Sequence, residues 1–158
     1  MRAVVFAVLL AGCAVATQEP SKGIAPLRDP AQPVASQVDV RISGLEGRWH
    51  IIDQKGLFSP FRDVRISGDM LTFSDGPDLV VFSLETLGEG RFALIRPGTA
   101  AVPLWVHWAD TGRRTAALGN PDGAFWLVID RTRTASPDRI RAARDILDWY
   151  GYKGALGA

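Results

Sequence analysis

The stretch Phe61-Arg62-Asp63-Val64-Arg65-Ile66-Ser67-Gly68-Asp69-Met70-Leu71-Thr72-Phe73-Ser74-Asp75-Gly76-Pro77-Asp78-Leu79-Val80-Val81-Phe82-Ser83-Leu84 alternates apolar and polar residues between two turn signals. Period-two alternation puts one set of side chains on each face of a strand, and Gly, Asp and Pro between runs supply the reversals. The same cycle recurs roughly every 11 residues through much of the chain. Candidate strands are Gly47 to Asp53, Phe61 to Ser67, Met70 to Ser74, Leu79 to Leu84, Arg91 to Arg96, Val102 to Trp108, Arg114 to Leu118 and Phe125 to Arg131. Gly88-Glu89-Gly90, Pro97-Gly98, Asp110-Thr111-Gly112 and Asn120-Pro121-Asp122-Gly123 add further reversals. Short strands joined neighbour to neighbour predict a mainly β fold, a small eight-stranded up-and-down antiparallel barrel, which leaves no strand edge unpaired.

Two strands are apolar on both faces. In Val102 to Trp108, alternation puts Val102, Leu104, Val106 and Trp108 on one face and Trp105 and His107 on the other. In Phe125 to Arg131, Phe125, Leu127 and Ile129 alternate with Trp126 and Val128. A sheet with one wet side would not read this way, so a second element should cover part of the barrel. Ser136-Pro137-Asp138 supplies one: an N-cap residue, proline at the first helical position and an acid near the positive end of the helix dipole. Ile140, Ala143, Ile146, Leu147 and Tyr150 follow at helical spacing, and Gly151 is placed to end a C-terminal α-helix.

Ahead of the strands, residues 14–43 are rich in Pro, Gln, Ser and Ala, with Pro20, Pro26, Pro30 and Pro33 precluding a continuous helix. This predicts a flexible tether, although Val38-Asp39-Val40-Arg41-Ile42 alternates and leaves an added edge strand open. At the N-terminus, Arg2 precedes the apolar run Ala3 to Leu10 and the small residues Ala11 and Gly12, the layout of a secretory signal. Leu10-Ala11-Gly12-Cys13 resembles the lipobox of bacterial lipoproteins, which implies removal of residues 1–12 and lipidation of Cys13. Ala14, rather than Asp, after that Cys implies by the same resemblance an outer-membrane location in a Gram-negative source. Several acyl chains on one Cys, each buried methylene contributing ~0.8 kcal/mol, hold a protein durably without a transmembrane helix.

The layout of eight strands and one helix resembles the lipocalins, closest to the bacterial outer-membrane lipocalin lipoproteins. Gly44-Leu45-Glu46-Gly47-Arg48-Trp49-His50-Ile51-Ile52 is similar to the Gly-x-Trp opening of that barrel. Trp108-Ala109-Asp110-Thr111-Gly112-Arg113-Arg114-Thr115 is similar to the family's later hairpin motif without its Tyr, and Val128-Ile129-Asp130-Arg131-Thr132-Arg133-Thr134 to its last strand. Tyr150-Gly151-Tyr152 matches the family's ending except that Lys153 replaces an acid. The resemblance spans residues 44–153, leaving 154–158 as a tail. It implies that Arg131 packs over Trp49 at the closed end of the barrel, a cation–π contact worth ~1 to 2 kcal/mol when desolvated.

Charge excludes some partners. Lys and Arg number 18 against 17 Asp and Glu, so nothing marks the chain for nucleic acid. His50 and His107 are the only histidines and no paired metal-ligand spacing exists, so no metal or cofactor is expected. Alternation turns His50 out of the barrel if Trp49 points in. With no free Cys after lipidation, no nucleophile motif and no phosphate-binding loop, no enzymatic activity is expected. The resemblance implies a small hydrophobic ligand, such as a fatty acid or lysophospholipid, with Trp105, His107, Phe82 and Phe92 as candidate wall residues. Ordinary packing is the competing role of each. Strands this short leave little interior, so the alternative is an envelope lipoprotein whose filled barrel is a structural or protein-interaction module.

Overall fold

The computed structural model describes residues 25–156. The expected signal segment, Cys13, the first part of the expected tether and the last two residues lie outside them. The strands are β1 (Gly47–Gly56), β2 (Asp63–Ser67), β3 (Met70–Asp75), β4 (Asp78–Gly88), β5 (Arg91–Ile95), β6 (Val102–Ala109), β7 (Thr115–Gly119) and β8 (Phe125–Asp130). Helix α1 (Pro137–Trp149) follows them. Each strand pairs antiparallel with its chain neighbour and β8 pairs back onto β1, so the sheet is a closed up-and-down barrel. β1 runs beyond its predicted end because Gln54 and Lys55, though polar, still pair with Leu127 and Trp126.

Two apolar clusters lie on opposite sides of the barrel wall. The interior set includes Trp49, Phe73, Phe82, Leu94, Val106 and Ile129. The outer set joins Ala117, Trp126 and Val128 of β7 and β8 to Ile140, Ala143 and Leu147 of α1. Every residue of β7 and β8 is therefore buried. Pro137 opens the helix after Ser136, whose carbonyl accepts from the Ile140 amide at 3.1 Å, while its hydroxyl makes no cap bond. Gly151, at φ +83°, ends it in a conformation a side chain would resist.

Two β-bulges shape the outer wall. Ile51 pairs with Ile129 and Asp53 with Val128, leaving Ile52 as the extra residue in β1. In β6, Val106 pairs with Leu118 and Trp108 with Ala117, so His107 is the extra residue. A bulge turns two consecutive side chains to one side and sharpens the local twist. Trp108, expected on the same face as Val106, accordingly packs outside with the helix cluster, and Ala109 takes the inner position.

The expected tether is, from Ala25 onward, part of the folded domain. Leu27 N–H donates to Gly123 O at 2.8 Å and Lys153 N–H to Leu27 O at 2.7 Å; lower down, Gln37 N–H donates to Val106 O and Gly90 N–H to Val40 O. The segment descends the outer wall from the β7–β8 turn to the opposite end, where a 3₁₀ turn (Ile42–Leu45) leads into β1. Backbone hydrogen bonds to the wall hold it, and these leave no mark in residue type. Val38 to Ile42 adds no strand, since a closed barrel offers no free edge. Ala155, placed in the tail by sequence, is buried with the outer cluster.

Candidate functional site

The two ends of the barrel differ. At the end where β1 begins, Trp49 has no surface that water can reach, and its indole N–H donates to Leu45 O at 2.7 Å. The Arg131 guanidinium carbon lies 3.6 Å from the centre of the Trp49 ring. Arg131 also donates to Arg48 O at 3.1 Å and to Arg113 O at 3.3 Å, which ties the start of β1 and the β6–β7 turn under one side chain. Desolvation lowers the pKa of Arg131 from its ordinary value. This end is sealed.

At the other end the β1–β2 connection folds inward. Phe58 is only 3% exposed and stacks on Phe73 with ring centres 4.0 Å apart. It also meets Phe125 edge-on at 4.7 Å and Phe82 at 5.9 Å. A side chain from a turn thus stoppers the open end above an aromatic cluster supplied by the walls. The interior beneath is apolar and tightly filled. Phe73, Leu94, Val106, Phe125 and Ile129 all have 0% exposure, so no void wide enough for water borders them. Among the buried residues of the interior cluster, Phe82 and Leu84, at 8%, keep the most reachable surface, and Val80 beside them on β4 is only partly buried.

Of the four expected wall residues, only Phe82 lies in the cluster under the mouth. Phe92 is interior but deep, facing Leu104 across the sheet on the sealed side beside Val40. Trp105 and His107 are on the outer wall, because Leu104 and Val106 take the inner positions of β6. Arg91 covers Trp105, with its guanidinium carbon 4.6 Å from the ring centre. Phe58 escapes sequence reasoning because it sits between strands, where alternation says nothing. The available signal is the adjacent apolar pair Leu57-Phe58 in a connection otherwise marked by Ser59 and Pro60.

His107 fastens the N-terminal segment and the C-terminal tail to the wall. Its Nδ1 lies 2.7 Å from Ala35 O, a carbonyl that can only accept, so Nδ1 carries the proton. Its Nε2 lies 2.9 Å from the Tyr152 hydroxyl, which is also 2.9 Å from Asn120 O. One phenolic proton serves only one of those two bonds, so the chain closes fully only on an imidazolium. The site exists because residue 119 is glycine: a Cβ there would stand 2.5 Å from the Tyr152 oxygen. Burial nevertheless lowers the imidazole pKa from its ordinary value to about 4, with the Arg28 charge adding to that and the Ala35 bond opposing it. Burial likewise raises the pKa of the Tyr152 phenol.

The depressed pKa predicts a pH dependence. The unfolded imidazole takes a proton below pH ~6.5 while the folded one resists until about 4, so stability is full above the upper value and falls between the two. The full interval corresponds to about 3 kcal/mol, reduced by the hydrogen bond the imidazolium gains. Urea midpoints measured from pH 7.5 to 4 should fall in wild type more steeply than in His107→Gln. Parallel curves would contradict this role for His107.

His50, on the outer wall, pairs through Nδ1 with Asp63 at 2.5 Å, and Arg48 and Arg133 reach the same carboxylate at 3.2 and 3.1 Å. Burial raises the Asp63 pKa, but the bonds from His50 and Arg48 and the neighbouring guanidinium charges outweigh it and hold the group below its usual range. Among the described residues, no group of three or more His, Cys, Asp or Glu converges as metal ligands would.

No protein-family model matches this sequence, and no curated protein matches it significantly. Solved structures do match the fold. Insecticyanin from the tobacco hornworm Manduca sexta aligns with a TM-score of 0.55 and 14% identity, over 73% of this chain and 76% of that one. The cockroach allergen Per a 4 gives a TM-score of 0.53 and 8% identity over 77% and 88%. LTBP1, crystallised as a point mutant in complex with leukotriene C4, gives 0.50 and 15% over 72% and 85%. Identity this low speaks to architecture alone. The closed eight-stranded barrel, its sealed floor and the helix behind its last strands give this chain the lipocalin fold.

Proposed function

We propose that this chain is a membrane-anchored binding protein that takes a small hydrophobic ligand, such as a fatty acid or lysophospholipid, into the open end of its barrel. Cys13 carries the lipid anchor, and the outer membrane, on its periplasmic side, is the proposed location. The observation that carries the reading is the Phe58 stopper. The mouth is filled from a connecting turn, by Phe58 with Phe61 of the same turn also against Phe73, rather than by the wall, above an interior cluster of apolar residues. A turn can swing away while the barrel stays paired, because Phe58 lies in no strand. LTBP1, similar in fold, is seen with leukotriene C4 bound.

The second reading is a permanently filled barrel serving as a structural or interaction module. The complete burial of Phe73 and Phe125 favours it. Displacement of a fluorescent fatty acid, alongside native mass spectrometry, separates the two. The binding reading expects micromolar displacement by wild type. It also expects about tenfold tighter binding, or ~1.4 kcal/mol, in Phe58→Ala, where the ligand no longer displaces a ring. No bound species in either protein supports the filled module.

A further inference from the structure

We propose that Gln54 is the polar contact of the barrel site and selects a ligand with a hydrogen-bond donor at the mouth: the free glycerol hydroxyl of a lysophospholipid, rather than the carboxylate of a fatty acid. This rests on the ligand-binding reading and narrows it to one class of lipid.

The register places the residue. Asp53, Gln54 and Lys55 of β1 pair with Val128, Leu127 and Trp126 of β8. Val128 and Trp126 belong to the outer cluster and Leu127 to the interior one. Side chains directly opposite one another share a face of the sheet. Asp53 and Lys55 therefore point outward, where Asp53 meets Arg144 of α1 at 2.6 Å, and Gln54 points inward. The bulge at Ile52 causes this, because unbroken alternation from Trp49 would put residue 54 on the outer face. A primary amide thus stands beside a cluster of apolar side chains at the mouth end of the barrel.

Two carbonyls fix how that amide is turned. Gln54 Nε2 donates to Ser59 O at 2.9 Å and to Phe61 O at 2.7 Å, both in the connection that carries Phe58. A carbonyl oxygen only accepts, so the atom facing both is the nitrogen, and its two N–H groups are spent there. The other end, Oε1, is buried and meets no donor. Among the described residues it is the only buried side-chain oxygen in that position. A buried acceptor without a partner bears its full desolvation cost, which a donor reaching it would remove.

A hydroxyl suits this amide from both sides. It donates to Oε1, and when Phe58 and its turn swing out, releasing Nε2, it also accepts from Nε2. An ionised carboxylate has no proton to give and would set its lone pairs against those of Oε1. The charged side chains of the mouth, Arg62, Asp75, Asp78, Arg96 and Asp122, are all exposed and of both signs, so no enclosed cation compensates the carboxylate. One placed polar group in an apolar wall is enough to orient a small ligand.

Palmitoyl lysophosphatidylcholine and its glycerol O-methyl ether share charge and chain length and differ at that hydroxyl. Each is titrated into the full chain below its micellar limit, with displacement of a fluorescent fatty acid as the readout. Wild type should bind the lipid with the free hydroxyl roughly tenfold more tightly, as a site built to hydrogen-bond a hydroxyl rejects the analogue lacking it. Gln54→Met, similar in size but without the amide, should bind the two alike. Equal affinities in wild type, or a preference that survives in Gln54→Met, overturn the role of Gln54. Nuclear Overhauser contacts between the Gln54 side-chain amide and the glycerol protons of the bound lipid check the placement in wild type, with no variant needed, and their absence overturns it. If wild type binds neither lipid and no fatty acid, the ligand-binding reading falls and this inference with it.

Discussion

Trp49→Ala is expected to lower the free energy of unfolding by ~3 to 5 kcal/mol, the cost of removing a fully enclosed aromatic side chain whose site cannot collapse. Three losses coincide there. The cavity opens under the interior cluster, the Leu45 carbonyl loses its indole donor, and Arg131 loses the ring it lies over at 3.6 Å. Arg131→Ala should cost less, ~2 kcal/mol, since it removes the cation–π contact and two charge-assisted hydrogen bonds but leaves the interior filled. Urea unfolding of the two variants and their double mutant measures the coupling directly. A Trp49→Ala cost under ~1 kcal/mol would mean that the floor does not seal the barrel.

Asp130→Ala is the other large effect, expected at ~3 to 5 kcal/mol because it strands a partly buried cation. The Asp130 carboxylate is fully enclosed and accepts from Thr115 Oγ1 at 2.5 Å, from the Thr132 amide at 2.8 Å and from Arg139 Nη2 at 3.1 Å. It joins β7, the chain after β8 and the first turn of α1 at one point. Burial raises its pKa, but the bonds from Thr115, Thr132 and Arg139 outweigh that and hold it below the usual range. A folded pKa below the unfolded one means that this contribution is present above the unfolded carboxylate range and disappears as pH falls through the folded value. Asp130→Asn, which keeps the shape, should lose most of the same stability. If Asp130→Ala and Arg139→Ala each cost less than ~1 kcal/mol, the junction does not hold the helix to the barrel.

These features are legible in the sequence to different degrees. Alternation locates all eight strands, and Pro137 and Gly151 bracket the helix, because these signals depend on local backbone geometry. The stacking of Arg131 on Trp49 comes from resemblance, since nothing in spacing alone brings residues 82 positions apart together. The outward turn of Trp108 is hidden because Val106-His107-Trp108-Ala109 has no polar residue to register a bulge except His107 itself. The N-terminal segment reads as a tether because its Pro and Gln are typical of linkers, while the bonds that dock it are main-chain bonds to Gly123, Val106 and Gly90. Alternation leaves Trp105 and His107 open as pocket walls because it does not say which face of β6 is the interior. Leu104 and Val106 settle that it is the other one. His107 instead emerges as the fastener of two chain ends, a role set by contacts with Ala35 and Tyr152 far away in sequence.

Ligand uptake through the mouth of the barrel has a direct test. A fatty acid carrying a nitroxide near its methyl end, added to isotope-labelled protein, broadens the resonances of whatever side chains it approaches. The predicted result is broadening at Phe58, Phe82 and Phe125, while Ala117 and Val128 on the outer wall stay sharp. Broadening confined to the outer cluster, or none at any concentration below the micellar limit, would contradict a ligand site inside the barrel.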